Sequence, residues 1–425
     1  MTRSAKVRSL VVLGSAGLLL AACSSGSSGS DASSAAPSSK SDGTLTVGTL
    51  LPQTGSLAFL GPPEFAGVDL ALQEINAAGG VLGKPVTLIN GDSGDTSTDI
   101  ASQTVDRALS QGADAIIGAA SSGVSLTVID KITSAGAVQI SPANTSPEFS
   151  TYQDNGLYFR TAPPDTFQGQ VVGDLVAKDG NETMSILALD DSYGTGLAAN
   201  VTKAYEAAGG TVASQKIYDP KASSYEAEVG EVKAANPSAV VLIGFDESKK
   251  IIAEMIKQGV GPQNVALYLV DGNLSQTIGD GLPAGALKGV KGTLPGAEAT
   301  KEFQAQLLKV NPKLTDFSYA PESYDAMNLL AIAAAAANND AGTAMASKMQ
   351  QITNEGEKCT TYAECLAIIQ AGKDADYEGK SGPIAFNSVG DPSKATMGIY
   401  EYGENNKYTP LEFVTGDVPE PEPKQ

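Results

Sequence analysis

The segment ADAIIGAASSGVSLTVIDKITSAGAVQI, residues 113–140, contains one complete unit of the fold. Apolar residues dominate 113–118 and 137–140, which predicts two short buried strands. Between them, residues 124–135 carry apolar side chains at helical spacing after a Ser-Ser-Gly start, which predicts a helix. A strand, a helix and a second strand in this order indicate parallel strands joined by a right-handed crossover.

The same alternation continues on both sides of this segment and forms two series. The first series comprises predicted strands at 45–50 and 86–89 and helices at 64–78 and 98–111. The second comprises strands at 184–189, 211–217, 239–243 and 265–269 and helices at 195–208, 224–235 and 247–258. Two such series predict an α/β protein with two Rossmann-like lobes, each built on a parallel sheet.

Two breaks interrupt the alternation. FRTAPPDT at 159–166 carries two prolines and no periodicity, and residues 285–296 are rich in glycine. After the second break the chain is predicted to be mostly helical, over about 299–372. It then returns to short strands near Ile384 and over 395–402. The apolar, alanine-rich stretch 328–337 is too short to cross a bilayer, which needs about 20 residues, and is predicted to be a packed helix.

The N-terminus predicts export and a lipid anchor. Arg3, Lys6 and Arg8 precede fourteen uncharged residues and the sequence LAAC at 20–23, which is the pattern of a signal peptide over 1–22. LAAC resembles the bacterial lipobox, so Cys23 is the predicted lipidated residue; an ordinary signal peptide with an incidental cysteine is the alternative. The Ser/Gly/Ala-rich segment that follows, within 23–43, predicts a flexible tether. The expected location is extracytoplasmic, attached to the cell membrane by the lipid alone.

Charge and composition exclude several functions. The formal charge is −20, and loss of the three basic residues of the signal peptide gives −23. This acidity argues against nucleic acid and anionic membrane surfaces as partners. The absence of histidine removes a Ser-His-Asp triad and the usual zinc motifs, so we expect a non-enzymatic protein without a metal. An acidic run of Asp92, Asp95 and Asp99 lacks the calcium-loop pattern.

A nucleotide cofactor is also not expected. The sequence GTGLAA at 194–199 fits a dinucleotide fingerprint formally, but DDSY separates it from the preceding strand. Cys359 and Cys365, six positions apart, predict a local disulfide in an oxidising compartment, with two free thiols as the alternative.

Four loops that leave predicted strands carry polar or aromatic residues. Ser121 and Ser122 precede a helix, where backbone N–H groups and hydroxyls could hold a carboxylate, although plain helix capping explains one serine equally well. Thr145, Tyr193 and Asp271 follow three other strands. Ligands of open α/β sheets bind outside the carboxyl ends of the strands, so these loops are the candidate site.

The order of these segments resembles the leucine/isoleucine/valine-binding type of substrate-binding protein that serves ABC importers. The resemblance covers about residues 44–410. Its quoted motifs are LTVGTLLPQTGSLAFLG (45–61), GVDLALQEINAAGGVLGKPV (67–86), IIGAASSGVS (116–125), VQISPANTSPEF (138–149), DDSYGTG (190–196) and YLVDGN (268–273).

The resemblance implies roles for individual residues. Ser122 and Thr145 match residues that bind a ligand α-carboxylate, and the Ala143 carbonyl and Asp271 match groups that receive its ammonium. Tyr193 and Phe245 match aromatic residues of the pocket wall. Leu60 stands where several members have an aromatic residue, Asp271 where they usually have glutamate, and Ser121 where a family disulfide has a cysteine.

The implied fold is that of a type I periplasmic binding protein with a multi-strand hinge. The expected first lobe comprises 44–161 and 295–378, the second 162–294 and 379–415, and a disordered tail covers 416–425. The expected function is hinge closure around a neutral amino acid and delivery to membrane permease subunits by a monomer. Amide, urea-like or aromatic-acid ligands, or a sensory role, stay open as alternatives.

Overall fold

A computed structural model describes residues 40–421 of the chain. The predicted signal peptide, Cys23, nearly all of the predicted tether and residues 422–425 of the expected tail lie outside these described residues. No helix within 40–421 combines the length and the apolar character needed to span a bilayer.

The N-terminal part of the described chain forms a five-stranded sheet. Its strands are β1 (Thr46–Leu50), β2 (Thr87–Ile89), β3 (Ala115–Gly118), β4 (Val138–Ser141) and β5 (Tyr158–Arg160). They are connected by α1 (Gly61–Ala77), α2 (Ile100–Ser110), α3 (Ser122–Ser134) and a short 3₁₀ helix at Pro147–Thr151. The strand order is β2-β1-β3-β4-β5 and every pair is parallel.

A second alternating series follows directly. It consists of α4 (Asp165–Lys178), β6 (Thr183–Leu189), α5 (Ser192–Ala207), β7 (Thr211–Tyr218), α6 (Glu226–Ala235), β8 (Ala239–Ile243), α7 (Ser248–Gln258), β9 (Ala266–Leu269) and β10 (Lys291–Pro295). Strand β8 is buried throughout, which explains its unbroken apolar sequence AVVLI.

The remaining elements are mostly helical before two long strands. They are α8 (Lys301–Val310), α9 (Ala320–Ala337), α10 (Gly342–Ala346), α11 (Gln351–Asn354), β11 (Glu357–Cys359), α12 (Tyr362–Gln370), β12 (Ala375–Tyr377), β13 (Lys394–Tyr402) and β14 (Tyr408–Asp417). Strands β11 and β12 form a small parallel pair. Strands β13 and β14 complete a seven-stranded sheet of order β14-β13-β10-β9-β8-β6-β7, in which only β10-β13 and β13-β14 are antiparallel.

Each large sheet has its own hydrophobic core. The core of the second sheet is built from β6, β8 and the helices beside them, whereas α1 and α9 cover the first sheet. Residues 320–334 of α9 are buried on every side, so the alanine-rich stretch is a packed helix, as predicted. The two α/β sheets confirm the predicted fold class.

A disulfide joins the end of β11 to α12. Cys359 is the last residue of β11 and Cys365 lies in the first turns of α12, with an S–S distance of 2.09 Å. Both cysteines are buried in the core of the first sheet.

Several elements differ from the sequence-based expectation. Strands β5 and β10 and helix α4 were not predicted, because β5 has three residues, β10 contains glycine and proline, and α4 carries glycines and follows two prolines. No strand forms at Ile384; its side chain is buried in the first core, but its segment is a loop with one isolated bridge at Phe386. Strand β14 reaches Asp417 through pairing with Lys394, so the first two residues of the expected disordered tail belong to the sheet.

Candidate ligand-binding site

All seven residues predicted for the site line one small cavity. Its volume is about 10 Å³. The predicted lining residues are Leu60, Ser122, Ala143, Thr145, Tyr193, Phe245 and Asp271, and they are joined by Leu57, Ala120, Ser121, Gly272 and Tyr319. The loops that carry Ser122, Ala143 and Thr145 leave β3 and β4 of the five-stranded sheet. The loops that carry Tyr193, Phe245 and Asp271 leave β6, β8 and β9 of the seven-stranded sheet.

The turn from β3 into α3 presents two serines with different tasks. Gly118 has a φ of +125°, and a Cβ there would lie 2.1 Å from the Leu50 carbonyl oxygen, so only glycine fits this turn. The Ser121 hydroxyl accepts a hydrogen bond from the Val124 N–H (3.3 Å) and caps α3. The Ser122 hydroxyl accepts one from the Ser146 N–H (3.3 Å). The Ser121 hydroxyl therefore caps α3, and both serines, which line the cavity, keep a hydroxyl proton to donate.

The loop that carries Ala143 and Thr145 is held from within. The Ser141 hydroxyl accepts hydrogen bonds from the N–H groups of Ala143 (3.2 Å) and Asn144 (2.9 Å). The Asn144 amide donates to the carbonyls of Ala119 (3.0 Å) and Ala120 (2.9 Å), which ties this loop to the neighbouring serine turn. The Ala143 carbonyl accepts no hydrogen bond from the described residues and is free to receive a donor.

A buried arginine supports the same loop from behind. The Arg160 guanidinium donates to the carbonyls of Ser146 (2.8 Å) and Asn144 (3.3 Å), on either side of Thr145. It also forms an ion pair with Asp391 at 2.6 Å, in which both side chains are almost fully buried. The positive charge of Arg160 is therefore committed to the loop and to Asp391.

Aromatic residues and one acid form the opposite wall. Tyr193 lies at the start of α5, where the Asp191 carboxylate caps the helix by accepting from the Gly194 N–H (2.7 Å). The rings of Tyr193 and Phe245 are stacked, with centroids 5.5 Å apart and planes 5° from parallel. Asp271 follows β9 and is 4% exposed.

Three side chains donate hydrogen bonds to the Asp271 carboxylate. They are the hydroxyls of Tyr193 (2.7 Å) and Tyr319 (2.6 Å) and the Gln168 amide (3.0 Å). Burial raises the pKa of Asp271, and the bonds from Tyr319 and Tyr193 oppose that rise. A carboxylate can accept about four hydrogen bonds, so Asp271 retains room for a further donor.

Asp165 is a second acid beside the cavity that the sequence analysis missed. It is the first residue of α4, is completely buried, and neither of its carboxylate oxygens has a hydrogen-bond partner. Burial and the neighbouring Asp271 raise its pKa well above the ordinary value, against the opposing effects of Thr145 and Arg160. An acid at a helix start was the available signal, but the two prolines before it hid the helix.

The cavity is strongly polarised. No lysine or arginine of the described residues lines it, while hydroxyls and the N-terminus of α3 lie on one side and the acid Asp271 lies on the other. Leu57 and Leu60, from the loop before α1, supply an apolar face. Such an arrangement can bind a small molecule that carries both a carboxylate and an ammonium group.

Comparisons with known proteins agree with this geometry. A family profile described as periplasmic binding protein matches residues 44–396. Leu/Ile/Val-binding protein homolog 2 of Brucella abortus (strain 2308) is 28% identical over 377 residues, which make up 86% of this chain and 92% of that protein.

Two solved structures have the same fold. The substrate binding protein LivJ of a branched-chain amino acid transporter from Streptococcus pneumoniae, in complex with isoleucine, has a TM-score of 0.72 and 21% identity, with 88% of this chain and 100% of that chain covered. The solute binding protein of an ABC transporter from R. palustris, in complex with 4-hydroxybenzoate, has a TM-score of 0.73 and 14% identity, with 89% and 98% covered.

The profile match spans most of the chain, and the structural matches span both sheets. They confirm the family resemblance deduced from the sequence motifs and the expectation of a protein that is not an enzyme. The chain therefore belongs to the periplasmic binding protein family and has the type I fold of that family.

Proposed function

We propose that the protein captures a small neutral amino acid outside the cytoplasm and delivers it to the permease of an ABC importer. One observation carries the proposal: the buried acid Asp271 lines a cavity whose other side offers hydroxyl donors and a helix N-terminus. The ammonium group of a ligand compensates this acid, and its carboxylate compensates the donors.

The proposed contacts follow from the position of each group. The hydroxyls of Ser122 and Thr145 bind the ligand carboxylate, and the first N–H groups of α3 add to the favourable field. The Ala143 carbonyl and the Asp271 carboxylate receive the ammonium group. Tyr193 and Phe245 pack against the ligand from one wall and Leu60 from the other, which favours an aliphatic or small polar side chain.

Binding in this cavity requires a change of shape. A volume of about 10 Å³ accommodates roughly one water molecule, so an amino acid enters only when the two walls separate. We therefore propose hinge motion between two lobes, divided as the sequence analysis expects, with closure around the ligand. Small-angle X-ray scattering should show a smaller radius of gyration with ligand than without it; an unchanged value would contradict hinge closure.

The ligand class is tested by calorimetry and thermal shift. We expect neutral aliphatic or small polar amino acids to raise the melting temperature and to bind with a dissociation constant of about 1 µM or less, equivalent to roughly 8 kcal/mol. The matched probes are amides, which lack the carboxylate, and aromatic acids, which lack the ammonium group. If only ligands without an amine raise the melting temperature, the role proposed for Asp271 is wrong.

An aromatic-acid ligand is the second candidate, because the R. palustris protein in complex with 4-hydroxybenzoate has the same fold. The acid at the cavity disfavours it. Benzoates place a negative charge beside Asp271 and bring no cation. If 4-hydroxybenzoate bound more strongly than every amino acid, the aromatic-acid function would be the better supported of the two candidates.

The partners and the anchor are proposed from the same function. The permease and ATPase genes are expected beside this gene, whereas a neighbouring receptor or kinase gene would support a sensory role. Lipidation at Cys23 would keep the protein at the membrane beside its permease. Metabolic labelling with radioactive palmitate should mark the wild-type protein and not Cys23→Ser; equal labelling of both would exclude this anchor.

A further inference from the structure

A second cavity lies on the far side of Tyr319 from the ligand cavity. Its volume is about 180 Å³. We refer to it as the back pocket, and Tyr319 is a wall of both cavities. The lining residues used below are Gln276, Glu298, Asp316, Tyr400, Tyr408 and Glu322.

Glu322 is a buried acid without a counter-charge at this pocket. It lies in the first turn of α9, is 1% exposed, and its Oε1 has no hydrogen-bond partner. Gly296 has a φ of +100°, and a Cβ at that residue would lie 2.0 Å from this oxygen, so the glycine leaves the space that the carboxyl occupies. The charged neighbours of Glu322 are also acids. Burial raises the pKa of Glu322 and Asp325 raises it further, while Glu322 raises the pKa of Glu64, which burial has already raised.

Two further acids and two aromatic rings line the same pocket. Glu298 is exposed at its rim. Asp316 is oriented by the Ser318 N–H (2.9 Å) and by the Tyr408 hydroxyl (3.2 Å). The rings of Tyr400 and Tyr408 have centroids 5.1 Å apart and meet at 73°, so they form two nearly perpendicular walls.

No lysine or arginine of the described residues 40–421 lines the pocket. Lys407 contacts one lining residue: its ammonium donates to the Gln276 carbonyl and to the Asp280 carboxylate (3.3 Å). Its charge is thereby paired with an acid that is not part of the lining. The back pocket therefore combines three carboxyl groups with aromatic faces.

The shape and composition favour an organic cation over a metal ion. Within residues 40–421, no three acidic or cysteine side chains converge in a way that could hold a metal. Aromatic faces attract cations within about 6 Å of the ring centroid, and a buried acid strengthens that attraction. A cavity of about 180 Å³ has room for a group the size of a substituted ammonium.

We propose that the back pocket is a binding site for a small organic ammonium ion, with Glu322 as its main counter-charge and Tyr400 and Tyr408 as its aromatic walls. The site is separate from the amino-acid cavity and does not depend on the function proposed for that cavity. Tyr319 lies between the two.

The test is a titration of the full-length protein with tetramethylammonium chloride at constant ionic strength, followed by calorimetry and by saturation-transfer NMR. Tert-butanol is the uncharged probe of nearly the same shape. We expect saturable binding of the cation and at least about tenfold weaker binding of the alcohol, since only the cation gains from the acids and ring faces. Absence of saturable binding, or equal binding of both probes, would overturn the proposal.

Substitutions test which residues form the proposed ammonium site. Glu322→Gln should weaken tetramethylammonium binding about tenfold or more, whereas Glu206→Gln, an exposed acid on α5, should leave it unchanged. Should Glu322→Gln disturb folding, Tyr400→Leu against Tyr400→Phe gives the same comparison, because Phe keeps the ring and Leu removes it. Asp271→Asn should change the affinity less than about twofold; loss of binding in that variant would show that the cation occupies the amino-acid cavity, and the proposal would be wrong.

Discussion

The two walls of the ligand cavity differ in the type of hydrogen-bonding group that each presents. The wall from the five-stranded sheet offers Ser122, Thr145 and the start of α3, which are donors held by a network of backbone contacts. The wall from the seven-stranded sheet offers Asp271, an acceptor held by two tyrosines and a glutamine. The donor wall alone could be explained by helix capping, and the acceptor wall alone by an ordinary buried acid. The two walls together are the arrangement that the proposed zwitterionic ligand requires.

The largest effect is expected from neutralising the acceptor wall. Asp271→Asn keeps the shape but removes the charge that pairs with the ligand ammonium, so binding should weaken by about 2–5 kcal/mol. Titration calorimetry with the best amino-acid ligand measures the change. Asp246→Asn, an exposed acid paired with Lys249, is the matched control. Unchanged affinity in Asp271→Asn would remove the acid from the ammonium site.

A smaller loss is expected from the donor wall. Thr145→Val replaces the hydroxyl by a methyl group of similar size, and loss of one hydrogen bond to a charged group costs about 1.5–3 kcal/mol. The dissociation constant should rise roughly tenfold to hundredfold, with Thr202→Val on α5 as the control. An effect as large as that of Asp271→Asn would mean that the substitution disturbs the loop and not a single bond.

The pH dependence of stability tests the second acid. Because the pKa of Asp165 is raised in the folded protein, the folded state binds more protons than the unfolded state above about pH 4, so this group lowers the free energy of unfolding as pH rises. In Asp165→Asn, the free energy of unfolding should therefore fall less steeply as pH rises, by up to about 1.4 kcal/mol per pH unit. Urea unfolding of the ligand-free protein at pH 5 and pH 7.5 measures it, with the exposed Asp174→Asn on the same helix as control. Parallel pH curves for Asp165→Asn and the wild type would contradict a raised pKa.

The smallest effect is expected at Ser122. Its hydroxyl makes one long hydrogen bond at 3.3 Å within the protein, and α3 keeps its cap on Ser121. Ser122→Ala removes one proposed hydroxyl donor and leaves Thr145 and the first N–H groups of α3, so ligand binding should weaken by about 1.5 kcal/mol, the lower end of the range for a hydrogen bond to a charged group, with little change in melting temperature. Ser134→Ala at the other end of α3 is the control. A large drop in melting temperature would indicate a structural role in the loop instead.

The two walls also differ in how far the sequence could predict them. Ser122, Thr145, Tyr193 and Asp271 follow strands, and the carboxyl ends of parallel strands converge at one edge of a sheet. Their sequence positions therefore indicated a common site. The order of both parallel series followed from the same alternation.

The groups around Asp271 could not be found in this way. Tyr319 precedes α9 and donates to Asp271 although no strand precedes it, and Gln168 belongs to a helix that glycines and prolines concealed. Their positions depend on how the chain crosses between the sheets, which hydrophobic periodicity does not encode. The antiparallel pairing of β13 with β10 and of β14 with β13 likewise depends on tertiary contacts that a local sequence pattern does not encode.

The ion pair between Arg160 and Asp391 has a mechanical consequence. Asp391 precedes β13 of the seven-stranded sheet by three residues, and Arg160 ends β5 of the other sheet while holding both neighbours of Thr145. The same arginine thus joins the end of β5 and the loop that carries Thr145 to the segment that leads into β13. Because the pair is buried, dissolved ions screen it little, and this link should keep its strength as the salt concentration changes.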